Sequence, residues 1–117
     1  MKSYTGDKLQ KSEVAVIKGW WDFTPFGYSG IDIYSIDSNY LKATKVDVLP
    51  GWHELVIRDY DFSFLPWGLT QPTRYADVAF NFEAGHEYKI KFKGTFTPGF
   101  KIMDVTTGSM ILELSFR

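Results

Sequence analysis

The chain contains no cysteine, so it has no disulfide, no thiol nucleophile and no thiolate metal ligand. It also carries little net charge, because 13 basic and 14 acidic side chains give a formal value of -1. Such a balance supplies little long-range attraction for nucleic acid or for an anionic membrane surface. We therefore expect nucleic acid not to be a partner of this protein.

Long apolar runs and helical periodicity are lacking as well. The best apolar stretch, residues 62–69, is interrupted by Ser63, Pro66 and Gly68 and falls far short of the roughly 18 residues of a membrane-spanning helix. No segment repeats apolar residues with the period of a helix through a full helix length. We therefore expect very little helix.

Aromatic residues, by contrast, make up 18% of the 117 residues, and hydrophobic residues 44%. This composition excludes intrinsic disorder, and the length suits one hydrophobic core. Residues 1–12 are polar and are interpreted as a leader. Residues 13–117 are predicted to form a single domain.

Alternation of apolar and polar side chains predicts β-strands from residue 13 onward. The clearest case has His86, Tyr88, Ile90 and Phe92 on one side of a strand and charged residues on the other. Eight strands are predicted, at residues 13–18, 31–37, 45–49, 53–60, 76–82, 86–93, 100–105 and 110–116. The fold class is therefore all-β: an antiparallel β-sandwich of about seven to eight strands, with a small barrel as the alternative.

Short turns separate the predicted strands. Asp37-Ser38-Asn39 tolerates a left-handed backbone, and Thr107-Gly108 places a glycine where a hairpin bulge needs one. The link at residues 83–85, Glu-Ala-Gly, is short enough for a hairpin. We therefore expect strands 76–82 and 86–93 to pair with each other in antiparallel fashion.

Two segments break the alternation, residues 20–30 and residues 61–74, and both are predicted to be loops rich in aromatic side chains. Loops of this length in a compact domain usually serve binding. Exposed aromatic rings stack on sugars and anchor protein partners. The candidate binding residues are Trp20, Trp21, Phe26, Phe62, Phe64 and Trp67.

The two histidines, His53 and His86, stand in similar settings, each after a glycine turn and before a glutamate. A zinc site of the helical protease type needs a second histidine four residues later, where Ile57 and Ile90 stand. We therefore predict histidines at strand entries whose ring nitrogens bond to loop backbone. No catalytic residue, metal ligand or cofactor is predicted.

The segment Ile36-Asp37-Ser38-Asn39 and the later segment Val-Asp-Val-Leu-Pro-Gly-Trp-His-Glu-Leu-Val-Ile, residues 46–57, resemble a known module. They are similar to the PEGA-type module, a β-sandwich repeat of surface and envelope proteins, over about residues 31–58. Ser38 stands where that module usually has glycine. The resemblance implies a β-sandwich and no enzymatic activity.

A wider order of motifs is similar to small uncharacterised bacterial envelope lipoproteins; these motifs are residues 4–6, 13–17, 84–88 and 104–108. That resemblance implies a trimmed signal sequence and a lost lipid-bearing cysteine before Lys2. It also implies a location in the cell envelope or periplasm, with the membrane contacted only through the lost anchor.

Three functions follow as hypotheses. The first is a non-catalytic envelope domain that contacts a protein partner, or a copy of itself, through its aromatic loops. The alternative is a carbohydrate-binding module in which Trp20, Trp21 or Trp67 stacks on sugar rings while Asp22 or Gln71 bonds hydroxyl groups. The third is a metal-linked hydrolase in which His53 and His86 share carboxylates.

Overall fold

The computed structural model describes residues 1–25, 27–63, 73–92 and 99–114. For Thr24, Phe62, Ser63, Phe92 and Leu114 it describes the backbone alone. The described residues contain no helix and ten strands. The strands are β1 (Ala15–Lys18), β2 (Trp20–Thr24), β3 (Gly27–Ile36), β4 (Asn39–Ala43), β5 (Lys45–Val48), β6 (Gly51–Ser63), β7 (Arg74–Phe82), β8 (Glu87–Phe92), β9 (Phe100–Asp104) and β10 (Ser109–Leu114).

The strands form two sheets of five. Sheet A has the order β10-β9-β8-β1-β5, and its β1–β8 pair is parallel. Sheet B has the order β2-β3-β6-β7, and β4 also pairs with β3. Strands β2 and β4 pair with successive parts of β3, because β2 pairs with residues 27–31 and β4 with residues 33–36. The predicted all-β sandwich, with antiparallel pairing dominant, is confirmed.

The hydrophobic core lies between the inner faces of the two sheets. Alternate residues of each strand point into it, as in Leu55 and Ile57 of β6 and Tyr88 and Ile90 of β8, all at most 1% exposed. The ring of Tyr88 packs edge-on against Phe80 of the other sheet, with 4.9 Å between centroids. The Tyr88 hydroxyl accepts a hydrogen bond of 2.9 Å from the backbone N–H of Glu83. Burial of these apolar faces stabilises the two layers.

The predicted hairpin between strands 76–82 and 86–93 is wrong. Strand β7 belongs to sheet B and pairs with β6, whereas β8 belongs to sheet A and pairs with β1 and β9. Residues 83–85 therefore carry the chain from one layer to the other. Alternation indicates which side of a strand is buried. The alternation pattern is the same whether two successive strands pair within one sheet or lie in opposite sheets, so it does not predict their pairing.

The predicted loop at residues 20–30 is also wrong. These residues form β2 and the start of β3, paired from Trp20 opposite Ile31 to Thr24 opposite Gly27. The alternation is hidden here because the solvent side of the hairpin carries aromatic residues instead of polar ones. In the second predicted loop, residues 61–63 extend β6 and Arg74 begins β7, while residues 64–72 lie outside the described residues.

Residues at the start of the predicted leader lie along β5. The backbone N–H of Ser3 donates to the carbonyl of Asp47 at 2.9 Å, and the N–H of Asp47 donates to the carbonyl of Met1 at 2.7 Å. Lys2 forms a parallel bridge with Asp47. This contact covers an edge of sheet A that would otherwise offer free backbone groups.

Candidate functional site

The outer face of sheet B, the side turned away from the core, concentrates the exposed aromatic rings of the described residues. The rings with the largest exposed fractions, Trp52 and Tyr40 at 71%, Trp21 at 63% and Phe23 at 62%, all lie on it. They occupy strand positions whose neighbours on the same strands face the core. The face therefore presents aromatic groups to solvent from a paired and hydrogen-bonded scaffold.

One end of this face carries three rings that we call the aromatic patch: Trp21, Phe23 and Tyr28. Phe23 lies opposite Tyr28 in the register of β2 and β3, and Trp21 lies opposite Gly30. The ring of Tyr60 packs edge-on against Tyr28, with 6.1 Å between centroids. The patch is thus supported from two neighbouring strands, β3 and β6.

Gly30 is required beneath the patch because the chain is crowded there. A Cβ at this position would lie 2.6 Å from the carbonyl oxygen of Trp20 and 2.7 Å from the hydroxyl oxygen of Tyr60. Both distances are shorter than real Cβ contacts. The absence of a side chain at Gly30 therefore allows Tyr60 to lie over the backbone of β3.

The middle of the face is occupied by a partly buried ion pair between Asp32 and Arg58, which are opposite each other in the β3–β6 register. Arg58 binds both carboxylate oxygens of Asp32, with a distance of 3.0 Å from Nε to Oδ1. The hydrogen bond to Asp32 raises the pKa of Arg58 in spite of partial burial. The guanidinium also stacks on Tyr34 and Tyr60, with Cζ 5.4 and 5.3 Å from the ring centroids.

Two further rings enclose this ion pair. Tyr34 contacts both Tyr40 and Tyr75 edge-on, each at 5.2 Å between centroids. Tyr75 is opposite Arg58 in the β6–β7 register. The Asp32–Arg58 ion pair and the surrounding tyrosine rings therefore contact one another in the middle of the face. They separate the aromatic patch from the opposite end of the face.

The other end of the face holds two adjoining depressions. One has a volume of about 370 Å³, and its lining includes Ser35, Glu54, Val56 and Asp77. The second, of about 310 Å³, is lined by Asp37, Trp52, His53, Glu54 and Ala79. Because Glu54 and Ala79 line both, we treat the two as one site and call it the groove.

The wall of the groove is fixed by His53 and Asp37. His53 Nδ1 lies 2.5 Å from Asp37 Oδ2, and its Nε2 lies 2.8 Å from the carbonyl oxygen of Leu49. The other oxygen of Asp37 accepts the backbone N–H of Glu54 at 2.9 Å. Burial raises the pKa of Asp37, but the hydrogen bonds from His53 and Glu54 outweigh it and leave that pKa below its usual value.

A similar pair lies in sheet A. His86 Nδ1 is 2.7 Å from Asp104 Oδ2, and Asp104 Oδ1 accepts the backbone N–H groups of Thr106 and Thr107 at 3.0 and 3.2 Å. The hydrogen bond to Asp104 raises the pKa of His86. Burial raises the pKa of Asp104. The hydrogen bonds from His86 and from the two backbone groups lower that pKa by a larger amount, so the net shift is downward.

Both histidines therefore lie at the starts of strands, as predicted, and each holds a turn by hydrogen bonds. The ring of His53 bonds to loop backbone as expected, whereas the carboxylate partners Asp37 and Asp104 are not indicated by the sequence pattern. His53 lies in β6 of sheet B, whereas His86 directly precedes β8 of sheet A, and the two bond to different aspartates. Within the described part of the chain, no cluster of three or more His, Asp or Glu side chains could hold a metal ion.

The free energy of unfolding is expected to decrease through His86 as the pH rises above about 6.5. Its pKa is raised by folding, so its contribution is complete below the unfolded pKa of about 6.5 and is lost as the pH rises through the folded value. Urea titrations at several pH values should show this slope in the wild type and a flatter one in His86→Gln. Equal slopes would contradict the assignment.

At acid pH the free energy of unfolding changes with pH in the opposite direction. Asp37 and Asp104 have lowered pKa values, so their contribution is present above about pH 4 and is lost as the pH falls through their folded values. Stability from these pairs is therefore greatest between about pH 4 and about pH 6.5.

The predicted binding residues have different outcomes. Trp21 is exposed in the aromatic patch, whereas Trp20 is partly buried against the core and lies opposite Ile31. Phe62 lies in β6, with only its backbone described. Phe26, Phe64 and Trp67 lie outside the described residues.

Sequence reasoning missed the groove. The predicted strand at residues 53–60 begins one residue after Trp52, and no strand is predicted at β4, which contains Tyr40. The signal for Trp52 was present, because alternation in β6 places it on the face opposite Leu55 and Ile57. The signal for Tyr40 was hidden by β4, a strand of five residues that contains Lys42 at a φ of 50°.

Comparison of the chain with protein-family models, with curated proteins and with solved structures returns no match. The described residues also include no helix with the length and apolar character required to cross a membrane.

Proposed function

We propose that this protein is a non-catalytic binding domain that holds a protein partner on its aromatic patch. The observation that carries the proposal is the exposure of Trp21 and Phe23, with fractions of 63% and 62%, on a strand paired to the body of sheet B. Large rings exposed together are typical of interaction surfaces. Tryptophan, tyrosine and arginine are the residues that most often dominate binding energy.

The chemistry around the patch favours a protein over a saccharide. Trp21, Phe23 and Tyr28 face outward beside Gly30 and Tyr60, so the ring hydroxyls and the indole N–H are the polar groups of these side chains. Sugar hydroxyls need carboxylates or amides close to the ring on which they stack. An apolar pocket of a protein partner needs only the rings.

Placement on strands also favours tight binding. Backbone pairing holds the rings before the partner arrives, so less conformational entropy is lost on association than with loop residues. The proposal therefore keeps the mechanism of aromatic anchoring and moves it from loops to a sheet face.

The other two hypotheses gain less support. Trp21 and Asp22 are consecutive in β2 and point to opposite faces, so Asp22 is badly placed to bond a sugar stacked on Trp21. A hydrolase in which His53 and His86 share carboxylates would need the two histidines close together. Each instead bonds to its own aspartate in a separate turn.

We place the domain in the cell envelope as part of this proposal. The support is the resemblance of residues 31–58 to surface modules and of the wider motif order to envelope lipoproteins. A gene that encodes a signal segment ending in cysteine directly before Lys2 is the expected finding.

Photo-crosslinking tests the patch even while the partner is unidentified. We expect p-benzoylphenylalanine at position 23, incorporated in the cells that make the protein, to give one or a few discrete adducts with another protein. The same group at position 89, exposed on sheet A, is the matched control and should give none.

Trp21→Ala should reduce the adduct yield at position 23 by about tenfold or more, since a buried tryptophan anchor contributes about 2 kcal/mol. The absence of discrete adducts from position 23, or equal adducts from position 89, would overturn the proposal. An adduct with the mass of two copies of this chain would identify self-association.

A further inference from the structure

The groove is a built site rather than an accidental hollow. Small side chains form its floor, because Val56 is flanked in the registers of β3, β6 and β7 by Ser35 on one side and Asp77 on the other. Trp52 stands two residues before Glu54 on the same face of β6, about 7 Å away along the strand. A broad ring therefore adjoins a shallow floor edged by carboxylates.

The turn at Asp37 and Ser38, which forms the wall of the groove, is held in place before any ligand binds. Asp37 and Ser38 turn the chain with φ values of 50° and 67°, in the left-handed region that costs energy for residues other than glycine. Asp37 is held in this turn by His53 and by the N–H of Glu54, at 2.5 and 2.9 Å. The same bonds that fix the turn therefore position Ser38 and Glu54 at the groove.

The residue types indicate which class of ligand the groove takes. Serine, glutamate, aspartate and alanine, types depleted in the cores of protein interfaces, line it together with Leu55, Val56 and Val78. Strands β3 and β6 are each paired on both sides, so the floor between them offers no free backbone edge to an extended peptide, while β7, which also lines the groove, is the last strand in the order of sheet B. The groove therefore presents hydroxyl, carboxylate and ring groups to a ligand.

A sugar matches those groups. Its C–H face packs on an exposed ring, while its hydroxyls donate to carboxylates and exchange hydrogen bonds with serine. The acidic side chains that line the groove, Asp37, Glu54 and Asp77, repel acidic sugars. The distance from Trp52 to Val56, about 13 Å along β6, exceeds one sugar ring and suits a short chain.

We propose that the groove binds a neutral oligosaccharide, with Trp52 as the stacking ring and Glu54 as a hydroxyl acceptor. His53 acts as a positioning residue through Asp37. This site is separate from the aromatic patch, since the Asp32–Arg58 pair and its tyrosines lie between them. The inference therefore does not depend on the protein partner proposed above.

The test is calorimetric titration of the full chain with cellotriose, chitotriose, xylotriose and mannotriose, with trigalacturonic acid as the acidic control. We expect saturable binding of at least one neutral trisaccharide, in the micromolar to millimolar range, and no binding of the acidic one. Trp52→Ala should weaken the affinity by about tenfold or more. Glu54→Gln should weaken it several-fold, because an amide replaces one acceptor oxygen by a donor.

Matched variants separate this site from the rest of the molecule. Trp21→Ala removes a ring of the aromatic patch, and His86→Ala removes the hydrogen bond between His86 and Asp104 in the other layer. Both variants should leave saccharide affinity unchanged. His53→Ala should weaken binding while circular dichroism retains the β-sheet signal. Because Trp52 is 71% exposed, Trp52→Ala should fold normally and report on binding alone.

Several results would overturn the inference. They are no saturable binding of any neutral trisaccharide, equal loss of affinity in Trp21→Ala and Trp52→Ala, or preferential binding of trigalacturonic acid. A fully retained affinity in Trp52→Ala would assign the sugar to another surface. Failure of the crosslinking experiment, by contrast, would leave this outcome unaffected.

Discussion

Asp32→Ala is expected to lower the free energy of unfolding by about 3 kcal/mol. Asp32 is only 4% exposed, and both its carboxylate oxygens accept from Arg58. Removing the carboxylate leaves a partly buried guanidinium without its counter-charge. Stacking on Tyr34 and Tyr60 and partial contact with water moderate the loss, so we take the lower end of the usual range.

The control is the double variant Asp32→Ala/Arg58→Met, measured by urea denaturation beside both single variants. Because it removes the unpaired charge as well, it should lose less stability than the sum of the single variants. Strict additivity, or a loss below about 1 kcal/mol in Asp32→Ala, would show that the ion pair does not hold the middle of the face.

Gly19→Ala is expected to destabilise the fold by about 3 kcal/mol or more. Gly19 connects β1 in sheet A to β2 in sheet B, and a Cβ there would lie 1.8 Å from the carbonyl oxygen of Ile31. The obstacle is backbone at a fully buried strand position, so it cannot move aside as a flexible side chain does. The layers or the β2–β3 pairing must shift instead.

Gly51→Ala provides the comparison for this variant. Gly51 has a φ of +112° but nothing within 4 Å of its Cβ position, so alanine there meets only backbone strain, about 1 kcal/mol. Thermal denaturation should place Gly19→Ala well below Gly51→Ala. Equal melting temperatures would mean that the crossing between the sheets is looser than the structure indicates.

The strands were predictable where one side of the strand is polar. In β8, Tyr88 and Ile90 alternate with Lys89 and Lys91, and the structure buries the first pair and exposes the second. The left-handed turn at Asp37 and Ser38 was also predictable, because short polar side chains tolerate that conformation. Local pattern and local structure agree at these places.

The pairing of strands and the position of the site were not predictable by the same means. Whether β7 lies beside β8 or across the core from it depends on contacts between distant residues, which alternation does not contain. The β2–β3 hairpin was missed because aromatic residues occupy its solvent side, which suppresses the polar half of the pattern. The departure from a normal strand pattern was itself the signal of exposed aromatic rings on this face.

Hydroxyl-radical footprinting tests most directly the claim that the outer face of sheet B is where this protein binds. In the isolated protein, Trp21, Phe23 and Trp52 should be oxidised much faster than Trp20 and Tyr88. In an unfractionated lysate of the cells that make it, Trp21 and Phe23 should become protected, while Met110 of β10, 52% exposed, keeps its rate. Unchanged oxidation of Trp21 and Phe23, or protection of Met110 in their place, would contradict the account.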